Sequence, residues 1–175
     1  MSEKCFKMIE ILRYYLEIKK LKDLRKVEIL ENNLEFDLIK KPDFNLNKFF
    51  YKQIGNKHRW IDRLSWSDQV WTNYINNKDV DTYVLKDKNE LAGYFERIFD
   101  KSRNEFEIAY FGILNEYRNK KYGGYLLSKA IEISLKKDVN RVWVHTCSLD
   151  HENAIKNYLA RGMKIFKEEK IKVSA

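Results

Sequence analysis

The sequence predicts a mixed α/β fold. The chain has 175 residues, enough for one domain of ordinary size, and 44% of them are hydrophobic, enough for a substantial core. Short alternating apolar runs, typical of strands, occur along the whole chain, and amphipathic helical patterns separate the last three of them. This strand–helix–strand–helix–strand order indicates a crossover unit in the C-terminal half.

The N-terminal half carries the weaker secondary-structure signals. Residues 11–18 and 26–39 alternate between apolar and polar side chains and predict one to three strands, with Asn32-Asn33 as a hairpin turn. Ser67 is suited to cap a helix because its hydroxyl can accept a hydrogen bond from the first helical turn. A short helix is therefore predicted over about residues 68–76, and another is predicted over residues 45–54.

The C-terminal half is more strongly patterned. Two alternating runs joined by Asp87-Lys88-Asn89 predict a β-hairpin. Residues 104–114 form a long apolar run, which is typical of a central strand covered on both faces. The remaining elements follow from helical spacing and from β-branched residues: a helix at about 122–136, a strand at 142–148, a helix at about 151–160 and a strand at about 163–173.

The composition excludes several classes of protein. The chain has no run of roughly eighteen apolar residues that could span a membrane, and its N-terminus does not read as a signal peptide. The 2 cysteines and 3 histidines lack disulfide and zinc spacing, so we expect no metal and a reducing, cytoplasmic location. The net charge of +8 favours an anionic partner, although coding bias toward lysine explains it equally well.

The most informative stretch is the junction between the predicted strand at 104–114 and the helix that follows it. The basic turn Arg118-Asn119-Lys120-Lys121 runs into Tyr122-Gly123-Gly124, which opens the helix. The first N–H groups of a helix have no acceptor within it, and the helix dipole also favours an anion there. The stretch therefore predicts a pyrophosphate site. The alternative is tight helix–sheet packing beside a solvated basic loop.

These residues resemble the acetyl-CoA motif of the GCN5-related N-acetyltransferase superfamily. That motif begins with glutamine or arginine and ends with two glycine positions, the second of which accepts alanine. Arg118 and Gly123 match its ends, and Lys121 stands where the family has its first glycine. A second block resembles the family's later pattern, with Met163 in place of phenylalanine. Its matching residues are Asn153, Ala154, Tyr158, Gly162 and Met163.

The resemblance implies the details of the fold. We expect a mostly antiparallel sheet of about six or seven strands with about four flanking helices, α/β or α+β by some schemes. The sheet should splay between the strands near 105–114 and 141–148. Residues 1–175 would form a single N-acetyltransferase domain, with N-terminal strands and acceptor-side helices in 1–78 and the acetyl-CoA-binding core in about 79–173. Dimers are common in the superfamily, and the sequence leaves a homodimer open.

The resemblance also implies acetyl-CoA as the cosubstrate, with its pantetheine arm in the gap between the splayed strands. The implied binding residues lie at the end of the first strand, in the loop, at the start of the helix and in the later block: Ile113, Leu114, Arg118, Asn119, Lys120, Lys121, Tyr122, Gly123, Gly124 and Asn153. Tyr158 matches the tyrosine often assigned as proton donor to the leaving thiolate.

Transfer to an amine also needs a base, because a lysine-like amine has a pKa of about 10.4. Glu107 stands where the histone-acetyltransferase branch of the superfamily has its glutamate, and is the expected base. Burial in an apolar strand would raise the pKa of its carboxyl toward neutrality, which suits this role. Glu96, on the neighbouring strand, and Glu105 remain alternatives.

The acceptor site is expected among aromatic and polar residues. Trp60, Trp66, Glu96 and His145 are the candidates, with packing of the tryptophans onto the sheet as the alternative. A covalent mechanism through Cys147 is not expected. That thiol and the imidazole of His145 are two residues apart on a strand, so they lie side by side rather than aimed at each other.

These inferences predict a cytoplasmic N-acetyltransferase that moves an acetyl group directly from acetyl-CoA to a primary amine of a small molecule or a protein. We expect no metal, no membrane association and no specific nucleic acid. Two alternatives remain: a non-catalytic, CoA-sensing protein of the same fold, and a basic nucleic-acid-binding module. The second requires exposed aromatic residues on a basic face.

Overall fold

The computed structural model describes residues 8–30 and 33–174. Over these ranges the chain forms seven strands and four α-helices, in the order β1 (Met8–Ile18), β2 (Leu34–Leu38), α1 (Phe44–Gly55), α2 (Asp68–Ile75), β3 (Val80–Asp87), β4 (Glu90–Asp100), β5 (Glu105–Ile113), α3 (Tyr122–Leu135), β6 (Arg141–Cys147), α4 (Asn153–Ala160) and β7 (Lys164–Ser174).

All seven strands belong to one sheet, in the order β2-β3-β4-β5-β6-β1-β7. Neighbouring strands are antiparallel except β5 and β6, which are parallel and joined by the crossover through α3. β1 comes from the start of the chain and lies between β6 and β7. The predicted mixed fold, with a mostly antiparallel sheet and flanking helices, is confirmed.

The parallel pair β5–β6 is joined only at its start. The register covers three residues of each strand and ends at Glu107 opposite Trp143, although both strands continue. Arg141 holds this closed end, because its guanidinium donates to Glu105 at 2.6 Å and to Glu17 at 3.0 Å. Beyond that point no backbone ladder joins the two strands within the described residues, so the predicted splay is confirmed.

Helix α3 covers one face of the sheet and forms the main core. Its apolar side chains recur at helical spacing and are almost completely buried against β4, β5 and β6. Burial of one such side chain contributes about 1.5–3 kcal/mol, so this stripe holds the crossover in place. The buried residues of the helix are Tyr122, Leu126, Leu127, Ser128, Ala130, Ile131 and Ser134.

Helix α1 covers the opposite face over β3, β4 and β5. Phe50 stacks on Tyr94 with ring centroids 4.6 Å apart and an interplanar angle of 5°. Gly112 in β5 allows this approach, because a Cβ atom there would lie 2.5 Å from Cγ2 of Ile54. The face opposite α3 is therefore closed beside β5.

The predicted hairpin at Asn32-Asn33 is wrong in its first arm. Residues 24–30 form no strand and lie against α3, where the Val27 N–H donates to the Ser128 hydroxyl at 2.9 Å. β2 pairs with β3 instead. Alternating apolar residues do not distinguish a strand from an extended segment packed on a helix, because both bury every second side chain. Asn32 itself lies outside the described residues.

The later elements agree with their predicted positions to within about two residues, the usual uncertainty of element ends. The turn between β3 and β4 has positive φ at Lys88 (53°) and Asn89 (68°), which is the geometry of a type I′ hairpin. The strand predicted to be central is the fourth of the seven. These elements place the strand–loop–helix junction at the open end of β5.

Candidate functional site

A cleft of about 870 Å³ lies where β5 and β6 separate. Its floor consists of residues 108–113 of β5 and 144–147 of β6. The loop before α3, the start of α4 and residues 58–62 form its walls. A cleft of this size is typical of small-molecule sites.

The loop before α3 has a backbone conformation suited to an anion. Asn119 and Lys121 have φ values of 64° and 63°, in the left-handed region. Such alternation of the backbone turns successive N–H groups toward one point. No side chain caps the helix, and the N–H groups of Gly123 and Gly124 donate to no acceptor in the described part of the chain. These donors and the helix dipole are the features for which the sequence predicts an anion site at this loop.

The two glycines of the helix start serve different purposes. A Cβ atom on Gly123 would have the side-chain nitrogen of Asn157 as its nearest neighbour, at 3.7 Å, which is an ordinary contact. That amide donates to the Gly123 carbonyl at 3.1 Å and ties α4 to α3. A Cβ atom on Gly124 would lie 2.9 Å from Cγ2 of Val27. Gly123 therefore borders the cleft, while Gly124 permits close packing of residues 24–30.

Two of the predicted cations border the cleft. The side chain of Arg118 lies at its edge, with Nη2 3.3 Å from Nε2 of His58 on the opposite wall. His58 in turn packs against His151, with ring centroids 5.3 Å apart. Lys121 also borders the cleft. The charge beside the anion site therefore comes from Arg118 and Lys121.

The side chains of Lys120 and Tyr122 both contact Asp87, at the end of β3. The ammonium of Lys120 lies 3.2 Å from Asp87, and the Tyr122 hydroxyl donates to the same carboxylate at 2.8 Å. These contacts lower the pKa of Asp87, the hydrogen bond from Tyr122 most of all. Lys120 is thus directed at the β3–β4 turn, whereas the backbone of Tyr122 remains at the cleft.

The remaining implied cofactor residues divide between cleft and core. Ile113 and Asn153 border the cleft. The N–H of Asn153 donates to Nδ1 of His151 at 3.1 Å, which orders the start of α4. Leu114 is 6% exposed and packs beneath α1 instead, where its N–H donates to the carbonyl of Ala92.

Tyr158 borders the cleft. It is almost completely buried, and its ring centroid lies 6.4 Å from that of Phe111 in β5. Burial raises the pKa of the phenol well above its usual value, and the charge of Asp150 adds to this effect. The hydroxyl therefore stays protonated at neutral pH and acts as a hydrogen-bond donor.

Glu107 and His145 meet where the pairing of β5 and β6 ends. The Glu107 Oε1 lies 3.7 Å from the His145 Nε2. Burial raises the pKa of Glu107 to about 6 and lowers the pKa of His145. His145 borders the main cleft, whereas Glu107 borders a neighbouring hollow of about 450 Å³ beside Trp143. The imidazole therefore lies between the carboxylate and the cleft.

The two alternative bases are occupied by other groups. Glu96 is completely buried and accepts hydrogen bonds from Asn47, Arg63 and Tyr74, each at 2.7 Å. Glu105 is bound by the arginine at the closed end of the strand pair. The Glu96 network joins α1, α2 and the segment after α1 to β4. Glu96 itself does not border the cleft; its hydrogen bonds hold together the elements that form the cleft wall.

The two candidate tryptophans are also in different environments. Trp60 borders the cleft and packs against Tyr110, with ring centroids 5.0 Å apart. Trp66 lies behind the cleft wall, 5.0 Å from the Trp71 ring and 4.7 Å from the Arg63 guanidinium. Trp66 therefore fits the packing interpretation, whereas the Trp60 ring borders the cleft.

Sequence reasoning missed several residues that border the cleft, including Arg13, Tyr110 and Asn157. Strict alternation along β5 places Glu107, Ala109 and Phe111 on one face. The register between β4 and β5 shifts at Ala109, so Tyr110 turns toward α1 instead. Bulges of this kind have no reliable sequence signal. Asn157 could have been found, because it is a polar residue directly before Tyr158, a residue that the sequence does single out.

Comparison with known proteins identifies the family. The family model described as Acetyltransferase (GNAT) family matches residues 45–163, more than half of the chain. The chain belongs to this family. The match begins in α1 and ends just before β7, so it includes the whole cleft-forming crossover. No helix in the described ranges is long and apolar enough to cross a membrane.

Solved structures of the same fold are distant in sequence. A functionally unknown conserved protein from Staphylococcus epidermidis has a TM-score of 0.67 and 14% identity, over 95% of this chain and 62% of that one. A GCN5-related N-acetyltransferase from Kribbella flavida has a TM-score of 0.64 and 13% identity, over 95% and 59%. The present chain thus spans about three fifths of the length of both.

An aminoglycoside acetyltransferase from an uncultured soil metagenomic sample is closer in size. It has a TM-score of 0.63 and 12% identity, over 76% of this chain and 90% of that one. At these identities the likeness shows the fold alone. The family assignment therefore rests on the sequence match, and the geometry of the cleft has to carry the function.

The left-handed backbone at Lys121 generates a stability prediction. A side chain in this conformation costs about 1–2 kcal/mol, a strain that glycine does not have. Lys121→Ala and Lys121→Gly remove the same charge, but only glycine relieves the strain. We expect the glycine variant to exceed the alanine variant by about 1 kcal/mol in free energy of unfolding, measured by urea denaturation.

Lys120 provides the matched control, because its φ is not positive. There the same pair of variants should rank in the opposite order, since glycine loses about 0.5–1 kcal/mol relative to alanine in an ordinary conformation. An alanine variant at position 121 as stable as the glycine variant would contradict the strained loop.

Proposed function

We propose that the protein is an acetyl-CoA-dependent N-acetyltransferase of the cytoplasm, which transfers an acetyl group to a primary amine. The observation that carries this proposal is the meeting of an anion site with an open strand edge in one continuous cleft. A CoA thioester combines a pyrophosphate with a long arm that contains amide groups. The cleft offers backbone donors for the first and unpaired strand backbone for the second.

The residues present fit this cosubstrate. The N–H groups of Gly123 and Gly124 would hold the pyrophosphate, with Arg118 and Lys121 supplying positive charge. The edge of β5 over residues 108–113 would receive the amide groups of the arm, because β6 does not pair with it there.

Acetyl-CoA, when bound, supplies an acyl group with a thiolate as leaving group. The chain must supply a proton acceptor, because an amine with a pKa of about 10.4 is protonated at neutral pH. The neutral imidazole of His145 faces the cleft and accepts the amine proton. Glu107, with a pKa of about 6, lies behind it at 3.7 Å, which is beyond hydrogen-bond distance, so a bridging water would carry the proton from the imidazole to this carboxylate, the general base.

Tyr158 serves the departing thiolate. Its raised pKa makes it a weak acid, so its contribution is a hydrogen bond to the negative charge that develops on sulfur. The acceptor amine approaches past Trp60 and Tyr110, while Trp66 and Glu96 fix the wall behind them. The aminoglycoside acetyltransferase of similar fold is consistent with an amine-bearing acceptor.

Gly123→Asp tests the position of the pyrophosphate. An aspartate at this position adds bulk and negative charge where the phosphates lie, and we expect acetyl-CoA binding to be abolished in calorimetry. Gly123→Ala is the matched control, because its Cβ meets only ordinary contacts and should leave affinity nearly unchanged. Gly123→Asn separates charge from size. A folded aspartate variant with normal affinity would place the phosphates elsewhere.

Tyr158→Phe removes only the hydroxyl, so the packing of α4 should survive. We expect kcat to fall about a hundredfold or more, with acetyl-CoA affinity unchanged, because the lost interaction forms only in the transition state. Tyr125→Phe, on α3 and outside the cleft, is the control and should retain full activity. Full activity in Tyr158→Phe would assign this residue to packing alone.

Glu107→Gln tests the base through pH dependence. The carboxylate accepts a proton only when it is ionised, so the rate of the unmodified enzyme should rise with pH through about 6, the pKa of this group. In the glutamine variant this acidic limb should disappear, and kcat/KM at neutral pH should fall by about a hundredfold. Glu90→Gln, at the exposed start of β4, should leave the limb in place.

The stability of the same variant provides a control that does not depend on turnover. Because folding raises the pKa of Glu107, the folded state prefers the protonated carboxyl. This preference stabilises the fold below the ordinary pKa of 4.5 and is lost as the pH rises through about 6. Relative to Glu107→Gln, the unmodified protein should therefore lose about 2 kcal/mol between these limits. An unchanged acidic limb together with this stability change would move the base elsewhere.

A further inference from the structure

Arg13 borders the cleft from β1, a strand that contributes nothing to the loop before α3. It lies in β1, opposite Cys147 of β6 on one side and Glu169 of β7 on the other. Alternation along β1 places it on the same face as Tyr15, whose ring packs against His145 with centroids 5.9 Å apart. The guanidinium therefore belongs to the neighbourhood of the proposed proton acceptor.

The side chain of Arg13 is unpaired in the described part of the chain. Its Nε is buried and has no hydrogen-bond partner, and no carboxylate there forms an ion pair with it. Its cross-strand neighbour Glu169 is already engaged by the Tyr15 hydroxyl and the Lys167 ammonium. A buried donor without an acceptor is unfavourable, and arginine has five N–H groups to satisfy.

Charged groups from several elements face this position. The positive charge of Arg13, after burial itself, lowers the pKa of His145, while Asp62, Asp150 and Glu169 act in the opposite direction. None of these three carboxylates lies within ion-pair distance of Arg13. A ligand that brings an anionic group to this part of the cleft would therefore supply the hydrogen-bond acceptor that the guanidinium lacks.

We propose that Arg13 binds an anionic group of the acceptor, a carboxylate or a phosphate, so that the acetylated amine belongs to a molecule that also carries such a group. This inference deepens the proposed function and rests on it. A guanidinium binds either anion through two parallel hydrogen bonds, which fixes the orientation of the ligand as well as its affinity.

The register of β1 and β6 allows one acceptor molecule to reach Arg13 with its anionic group and His145 with its amine. Tyr15 pairs with His145 and Arg13 with Cys147, so Arg13 and His145 are diagonal neighbours, with backbones about 7–8 Å apart. An acceptor whose amine and anionic group are a few bonds apart can therefore reach both side chains at once. Its anionic group would rest on Arg13 while its amine faces the imidazole.

The cosubstrate is a poor match for Arg13. The phosphates of a CoA thioester belong at the loop before α3, and the arm that extends from there is uncharged. An amine without an anionic group would fill the cleft beside Arg13 and still leave its guanidinium without a hydrogen-bond acceptor. The position thus discriminates among acceptors rather than contributing to cosubstrate affinity.

The test compares Arg13→Met and Arg13→Lys with the unmodified enzyme on matched pairs of amines. One pair is an amino acid and its carboxamide, and another is an aminoalkyl phosphate and the corresponding amino alcohol. Thiol release at saturating acetyl-CoA measures the rate. Lys172→Met, an exposed charge removal on β7 outside the cleft, is the control.

We expect Arg13→Met to lower kcat/KM for the anionic member of a pair by about tenfold to a hundredfold, mainly through KM, the range of a charge-assisted hydrogen bond. The KM for the neutral member and the KM for acetyl-CoA should not change, and Arg13→Lys should recover part of the loss. Which pair shows the effect distinguishes carboxylate from phosphate. Equal losses for both members, or no loss for either anion, would overturn the proposal.

Failure of the proposed function would look different. If acetyl-CoA binds but no amine is turned over, calorimetry with the same anionic amines in the presence of CoA decides the matter, and binding that does not depend on Arg13 overturns the inference. If acetyl-CoA itself does not bind, the proposed function fails. The same calorimetry without CoA then judges Arg13 separately, with the same overturning result.

Discussion

The early end of the parallel pairing between β5 and β6 is the constraint on which the rest of the site depends. Three residues of each strand are paired, and the ion pairs of Arg141 hold that end closed. Beyond it, the backbone of β5 faces open space. Its unpaired N–H and C=O groups are therefore available to a ligand with complementary groups. The crossover then brings the start of α3 to the end of the same edge.

Burial shapes the chemistry of this opening. It raises the pKa of Glu107 and of Tyr158 and lowers that of His145, so each group is shifted toward its uncharged form. Such an environment favours the neutral amine over its ammonium form and strengthens hydrogen bonds to charge that develops during transfer. The wall opposite α3 stays rigid because the buried carboxylate of Glu96 is held by donors from three directions.

The strand–loop–helix junction was predictable because it depends on local rules: helix starts bind anions, and a basic turn after a buried strand marks the place. The resemblance departs from the family motif where Lys121 replaces the first glycine, yet Lys121 adopts the left-handed conformation that glycine usually provides. The positions of Glu96, Lys120 and Leu114 depend on which neighbours the fold supplies, and a linear pattern does not contain that information. The same limit applies more strongly to Arg13, because its surroundings are formed by strands that are distant from it in sequence.

Hydrogen exchange in the presence of acetyl-CoA tests the central claim most directly. The account predicts that acetyl-CoA slows exchange of the amides at residues 108–113 and 119–124, the open strand edge and the loop, while the β2–β3 edge of the sheet is unaffected. Protection of both segments together would show that one ligand occupies the strand edge and the anion site. No protection at millimolar acetyl-CoA, or protection confined to another part of the chain, would contradict the account.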